Sequence, residues 1–436
     1  MKTNNHMKYI TVALAATLVL TTARAATPMV SAGGYHTVAL KEDGTVWTWG
    51  DNYNGQLGDN TWISRYTPVQ VKGEEGEGVL SNVVSVAAGG DHTVALKEDG
   101  TVWAWGDNDF GQIGDDTWTD KTTPVQVKGE GGVGWLSNIV AVAAGRRHTV
   151  AVKDDGTVWA WGWNYSGQLG NGTWITRYTP VQVDNGGLSN ITAVAAGEEH
   201  TVALKDDGTV WAWGYNGSGR LGDGTMVDQN TPVQAKGVGG EGVLSNITAV
   251  AAGDSHTVVV KDDGTVWAYG LNSYGQLGDG TTTQRTTPVQ AGGGGLSNIV
   301  AVVAGGLHTV ALKSDGTVWA WGLNSSGQLG DGTWENKFTP VQVLGAGGEG
   351  MLYLLAEVQG VYVTAITVDG SRNVTLVLDG EAAGVTVEMS LDLSDPLGWS
   401  EVPSGLITPV SPNTIKIDAA ALGSAKAAFF RVKGSL

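Results

Sequence analysis

The chain contains no cysteine. That excludes disulfide cross-links and thiolate metal sites, and leaves packing to hold the fold together. Basic residues are also scarce: 25 Lys and Arg stand against 43 Asp and Glu, a formal net charge of −18. Phosphate backbones are bound by Lys/Arg clusters, so no nucleic-acid partner is expected. The acidity favours solubility or a basic partner. No stretch has a 3.6-residue apolar period, so helices are not expected. No glycine-rich loop leads into a helix to cradle a phosphate, and no nucleophile–base–acid set stands out. The chain therefore calls for no cofactor and no enzymatic reaction. Beyond the first residues, no apolar run reaches the about 20 residues that a membrane-spanning helix needs.

Those first residues carry a pattern of their own. Lys2 and Lys8 accompany the apolar run from Ile10 to Leu20, and Ala23-Arg24-Ala25 reads as a small-residue cleavage site. This is the layout of a secretory signal peptide over residues 1–25, cleaved near Ala25. It predicts a secreted, periplasmic or cell-surface protein. Removing three basic residues with it takes the formal charge from −18 to −21.

Glycine, by contrast, is abundant, with 67 residues, and it recurs at fixed positions. The stretch AAGGDHTVALKEDGTVWAWGDN, from Ala87 to Asn108, has five further close copies. Its histidine returns at His36, His92, His148, His200, His256 and His308, at intervals of 56, 56, 52, 56 and 52 residues. Self-similarity at such a period signals an array of identical structural units. Each unit reads as four short β segments, for example Val83 to Ala87, His92 to Leu96, Thr101 to Trp105 and Pro124 to Val127. β-branched and aromatic residues dominate them. Asp-Gly between the second and third segments predicts a tight hairpin, because glycine accepts a positive φ there. In the third segment Trp103 and Trp105 share one face, and Val102 and Ala104 share the other. A large face against a small one suits sheets stacked around an axis. Unit length varies only between the fourth segment and the following Ser-Asn pair, which makes that loop the surface crossover between units. The whole reads as an all-β propeller of six four-stranded blades over residues 28–345.

A ring of six histidines could be read as metal ligands, but six equivalent positions lie too far apart to share one ion at about 2.0 Å. Each imidazole is expected instead to bond a neighbouring blade's backbone or hydroxyl. The aspartates of Asp59-Asn60, Asp115-Asp116, Asp223-Gly224, Asp279-Gly280 and Asp331-Gly332 read as turn formers, without the spacing of a calcium loop. No metal site is expected.

A binding site requires the repeat symmetry to be broken. Two places do so. The pairs preceding the histidines are Gly34-Tyr35, Gly90-Asp91, Arg146-Arg147, Glu198-Glu199, Asp254-Ser255 and Gly306-Leu307. If the first segment is innermost, Arg146 and Arg147 face Glu198, Glu199 and Asp254 across a charged rim of the central channel. Variable solvated turns are the alternative. Trp62, Trp118, Trp174 and Trp334 occupy one loop position in four units, followed by Tyr66, Tyr178 and Phe338. They either form an adhesive aromatic face or pack down on the adjacent blade.

The segment AGGDHTVALKEDGTVWAWGDNDFGQIG, with its Thr-Pro-Val strand, resembles the repeat of the regulator of chromosome condensation family. The resemblance spans about residues 28 to 345. It implies a propeller, commonly of seven blades, and in the eukaryotic namesake guanine-nucleotide exchange on a small nuclear GTPase with chromatin binding. Related propellers can also cap an enzyme's active site. After Val343 the pattern decays into alternating strands. SLDLSDPLGWSEV and the ending AAFFRV resemble small C-terminal β-sandwich modules of secreted bacterial proteins. Residues 355–436 are expected to form such a domain, with a degenerate seventh blade as the alternative. The reading that combines these observations is a monomeric, secreted, non-enzymatic scaffold binding an extracellular protein or glycan through variable propeller loops. Exchange-factor-like activity or inhibition of an extracellular enzyme are the alternatives.

Overall fold

A computed structural model describes residues 26–184, 188–348 and 350–352 in full, and the backbone of individual strands between 362 and 434. The expected signal segment, 1–25, lies outside the described residues. The chain divides into two units, Met1–Leu352 and Tyr353–Leu436.

In the first unit each repeat forms one four-stranded antiparallel sheet with strands in chain order. The sheets are the blades of a six-bladed propeller, at 29–70, 83–126, 139–182, 191–234, 247–290 and 299–342. Helical structure among the described residues is limited to 3-10 turns of three or four residues in the crossovers. In blade 2 the strands are Val83–Ala88, His92–Lys97, Val102–Gly106 and Lys121–Gln126. The fourth begins three residues earlier than Pro124 suggested. A register shift after Ala104 brings Gly106 opposite Lys121, so pairing resumes beyond an irregularity that the sequence pattern does not mark. Gly106 has φ 105°, and a Cβ there would sit 2.5 Å from the Asp91 carbonyl oxygen. Only glycine fits that strand end.

The blades are joined as the two-faced third strand suggested. Trp103 and Trp105 of blade 2 pack with Val38, Leu40, Val46 and Val71 of blade 1. Val94, Val102 and Ala104 of blade 2 in turn meet Trp161 of blade 3. A polar lock accompanies each apolar join. The Gln56 carbonyl accepts from Trp105 Nε1 at 3.0 Å and from Thr93 Oγ1 at 2.9 Å. His36 Nε2 lies 2.9 Å from the same Thr93 hydroxyl. The expected histidine role is therefore met: His36, His92, His148, His200 and His256 each reach the threonine hydroxyl of the next blade. Burial holds the imidazoles neutral, pushing His36 to about 4 and His92, His148 and His256 to about 3.

First strands of successive blades touch one another, so they line the propeller's centre. In each blade the turn between strands one and two and the loop between strands three and four lie at one end, where His92 faces Gly106 and Gly106 faces Lys121. This is the rim end. The Asp-Gly hairpins lie at the other end, where Gly100 O accepts from Ile139 N as the crossover enters blade 3.

The second unit contains a four-stranded sheet of Tyr362–Val368, Val374–Asp379, Thr414–Ile417 and Ile407–Ser411. It also contains a three-stranded sheet of Ser400–Glu401, Val385–Ser390 and Phe429–Gly434. The face-to-face packing that a sandwich over 355–436 requires falls on side chains outside the described residues.

Candidate functional site

Both sets of symmetry-breaking residues stand at the rim end. The inner set is the turn before each histidine. Arg146 Nη1 donates to Glu198 Oε1, an ion pair between blades 3 and 4. Glu199 accepts from Ser166 Oγ at 3.0 Å, and the Asp254 carbonyl accepts from Arg220 Nη1 at 2.8 Å. Arg220 takes the place that glutamine holds in the other units, a single-copy substitution that sequence reasoning passed over. Arg147 is held on aromatic rings. Its guanidinium lies 4.9 Å from the Phe110 ring centre and 4.7 Å from that of Trp163. Phe110 and Trp163 are 4.2 Å apart, and Tyr165 meets Trp163 edge-on at 5.4 Å. A cation held on aromatic faces is fixed in place by the ring quadrupoles. The five inner residues therefore divide: Arg146, Glu198 and Asp254 make one electrostatic group, Glu199 is tied to Ser166, and Arg147 belongs to an aromatic cluster.

Carboxylates on this end are crowded. Burial, and then the Asp51 carboxylate, raise the Asp91 carboxyl, with Arg146 and Arg147 opposing. At Asp254 partial burial and the Glu198 carboxylate act in the same direction. Asp107 is pushed up to about 6, chiefly by burial and then by Asp120, Asp109 and Asp91. Oxygens of Asp107, Asp109 and Asp120 lie within 4.8 Å of one another. Three oxygens are fewer than the six to eight that calcium takes, and an acidic cluster alone does not define a metal site. Acids raised by crowding gain from a cation nearby, including the side chains of a basic partner.

The outer set is the loop after Gly-Gln-Leu-Gly. A buried asparagine organises it in every blade. In blade 1, Asn52 Oδ1 accepts from Leu57 N at 2.9 Å. Its Nδ2 donates to the Thr61 and Ile63 carbonyls at 2.9 and 3.2 Å. Trp62 sits between those two anchored carbonyls. Asn108, Asn164 and Asn324 hold the loops of Trp118, Trp174 and Trp334 in the same way. The tryptophans are displayed rather than packed down: Trp62, Trp118, Trp174 and Trp334 are 51, 68, 45 and 71% exposed. Among the described residues, Trp118 is the one of the four with an aromatic neighbour, Tyr178 of blade 3, edge-on at 6.2 Å. The turn aspartates behave as read. Asp59 Oδ1, for example, accepts from Thr61 N and Oγ1 at 3.0 and 2.6 Å.

Inner and outer sets are wired together. Asp51, just after strand three, accepts from Ser64 Oγ of the outer loop and Gln56 Nε2 of the inner side at 3.2 and 2.9 Å. Further exposed aromatics occupy this end: Tyr35, Tyr53 and Tyr165. Tyr53, Trp163 and Tyr165 were not among the residues picked from sequence. Their signal was present, because the three variable positions of the Gly-x-Asn-x-x-Gly stretch form a different combination in each copy.

The RCC1-like domain matches residues 76–385, and a regulator of chromosome condensation (RCC1) repeat matches residues 43–96. The ultraviolet-B receptor UVR8 of Arabidopsis thaliana is 37% identical over 316 residues, covering 72% of this chain and 69% of that protein. The human E3 ubiquitin-protein ligase HERC2 is 31% identical over 284 residues, 65% of this chain but only 6% of the ligase. Among solved structures, Prp20p of Saccharomyces cerevisiae, studied for its binding to Gsp1p and histones, aligns with TM-score 0.60 and 26% identity. That alignment covers 73% of this chain and 76% of the yeast chain. The family match over most of the propeller, together with the relative at 37% identity, shows that the chain belongs to the family of RCC1-like domains.

Proposed function

We propose that this chain is a secreted, non-enzymatic scaffold that binds a protein with a basic surface through the rim end of its blades. One observation carries the reading: the charged residues that break the repeat and the exposed tryptophans gather at a single end, the tryptophans on loops held by buried asparagines. Preformed loops lose little entropy on binding, and exposed Trp and Tyr are the side chains favoured as binding hot spots. Crowded acids such as Asp91, Asp107 and Asp254 favour a cationic partner over a neutral glycan. Arg146 and Arg147 give the rim a polarity that fixes orientation. Residues 1–25 would direct the chain out of the cytoplasm, as a bacterial secreted member of the family, and the second unit would serve attachment or spacing.

The test is capture from culture medium with the mature chain as bait, beside the double variant Glu198→Lys, Asp254→Lys. A retained protein that elutes with salt, and whose affinity falls on the order of tenfold or more in the variant, supports the reading. Retention of glycans instead, or a protein held equally by both baits, refutes it. Mass spectrometry of the exported chain should give Ala26 as its first residue.

A second reading is favoured by the likeness to Prp20p, which binds Gsp1p: exchange-factor-like action on a small GTPase. Release of labelled guanine nucleotide from a small GTPase, measured with and without the chain, separates the two. Acceleration supports exchange, and an unchanged rate removes it.

A further inference from the structure

Four of the six outer loops close on the same ion pair. A basic residue at the start of the fourth strand meets the aspartate that follows the glycine turn. Arg65 lies 2.7 Å from Asp59, Lys121 3.0 Å from Asp115, Arg285 2.7 Å from Asp279 and Lys337 3.3 Å from Asp331. Blade 4 keeps the acid, Asp223, and has Gln229 in place of the base. Blade 3 does the reverse: it keeps the base, Arg177, and has Asn171 in place of the acid.

The amide does only half of the aspartate's work. In blade 1, Asp59 Oδ1 accepts from Thr61 N and Oγ1, and Oδ2 accepts from Arg65 Nε at 2.8 Å. Asn171 Oδ1 repeats the first contact, accepting from Thr173 N and Oγ1 at 3.2 and 2.8 Å. An amide has a single oxygen, so its NH2 falls where the second carboxylate oxygen stands in blade 1, donor against donor. Arg177 Nε is enclosed and has no hydrogen-bond partner. Among the described residues no carboxylate forms an ion pair with Arg177. Asp184 lies beside Gly172 and does not reach it either. Two further donors of the blade, Thr176 Oγ1 and Trp163 Nε1, are also enclosed without partners. They hold the positions at which blade 1 joins Ser64 Oγ to the Asp51 carboxylate. Blade 3 therefore keeps the donors of the loop and lacks both acids. A charged donor left without an acceptor costs free energy that an incoming anion recovers.

We propose that the outer loop of blade 3 is a carboxylate-binding site, with Arg177 as its anchor and an acidic side chain of the bound protein as its occupant. The incoming carboxylate takes the part that Asp59, Asp115, Asp279 and Asp331 play in their own loops. Arg177 is half-buried, and Trp174 and Tyr178 near it in the chain are exposed, so the position is reached from solvent beside ring faces that cover the methylenes of a glutamate. Arg147, 4.7 Å from the Trp163 ring centre, adds a second positive charge next to this blade. The site asks more of the partner than a basic surface: one acid must face blade 3 while cations face Asp91 and Asp107 of blade 2. The occupant rests on the reading of a protein partner; the carboxylate site does not.

The probes are sodium acetate and the peptide acetyl-Gly-Glu-Gly-amide, titrated with the full chain at constant ionic strength and followed by broadening of their own proton NMR signals. The variants are Arg177→Gln and Asn171→Asp. Each installs a residue that another blade already carries at the same position, so the fold is kept. The wild-type chain should bind both probes saturably, and should not bind acetyl-Gly-Gln-Gly-amide. Each variant should weaken binding by about tenfold or more, Arg177→Gln by removing the cation and Asn171→Asp by supplying a carboxylate of its own. Asn171→Asp should also raise the thermal midpoint, because the ion pair of blades 1, 2, 5 and 6 then forms in blade 3. Absence of saturable binding, binding unchanged in both variants, or equal binding of the glutamine peptide overturns the site. Acetate bound without the glutamyl peptide overturns the occupant. No captured partner enters these titrations, so a failure of capture from medium and a failure of this site are told apart.

Discussion

The two ends of each blade obey opposite rules. At the hairpin end all six copies repeat one device: the aspartate before each turn glycine accepts from the threonine two residues on. Asp43, Asp99, Asp155, Asp207, Asp263 and Asp315 all do so, at 2.6 Å to the hydroxyl. At the rim end the inner turn differs in every copy, from Gly34-Tyr35 to Arg146-Arg147 to Glu198-Glu199. The same strands feed both ends, so the difference is not one of scaffold. Repeated chemistry closes turns and joins blades. Unrepeated chemistry stands on the surface those turns leave free, where a change costs the fold little.

That contrast breaks first under acid. Buried histidines at the joins titrate far below their ordinary value near 6.5. Below pH 6.5 the unfolded chain takes up protons that the folded chain refuses. Stability should therefore be flat in this respect above pH 6.5. It should fall as pH drops toward about 3 or 4, by about 1.4 kcal/mol per pH unit for each buried histidine. Urea unfolding at pH 7, 6 and 5 measures it, and a midpoint that does not move would mean the imidazoles are not held neutral. Next in size is a single join. Trp161→Ala removes a fully buried indole that donates to the Gln112 carbonyl at 2.9 Å, and should cost about 3–5 kcal/mol in denaturant unfolding. Smaller is the loop anchor. Asn108→Ala strands the Ile113 amide and the Thr117 and Thr119 carbonyls, for a loss of about 1–3 kcal/mol, with greater mobility of Trp118 seen by fluorescence anisotropy. Smallest of all, Trp62, Trp118, Trp174 and Trp334 changed to Ala should each move stability by no more than about 0.5 kcal/mol while weakening partner capture. Unfolding of the four-fold variant would show that these rings are core, and would erase the distinction between the two ends.

Much of the fold was readable because it is local and repeated. Asp-Gly turns, the two-faced Trp-x-Trp strand and the crossover each rest on a few neighbouring residues. The start of the fourth strand at Lys121 was missed because a register shift is a property of two strands paired across a loop. At the site, the charged turn residues were found from their asymmetry. The division between Arg146, paired with Glu198, and Arg147, lodged on Phe110 and Trp163, depends on side chains from different blades. The display of Trp62 on a loop held by Asn52 was likewise invisible, since the asparagine precedes it by ten residues of variable-looking turn.

The sequence by itself determined the six-fold repeat of a four-stranded unit, the position of each hairpin and the structural role of the repeated histidines. Those follow from short-range patterns that selection of any other fold would not repeat six times. Only the tertiary structure decided that the charged turns and the tryptophan loops share one end. In an antiparallel meander the first and third connections fall together, and in blade 1 they are further linked through Asp51. Only the tertiary structure, too, left Thr37 and Trp49 half-buried where Thr93 and Trp105 are buried, because burial depends on long-range contact that no single repeat contains.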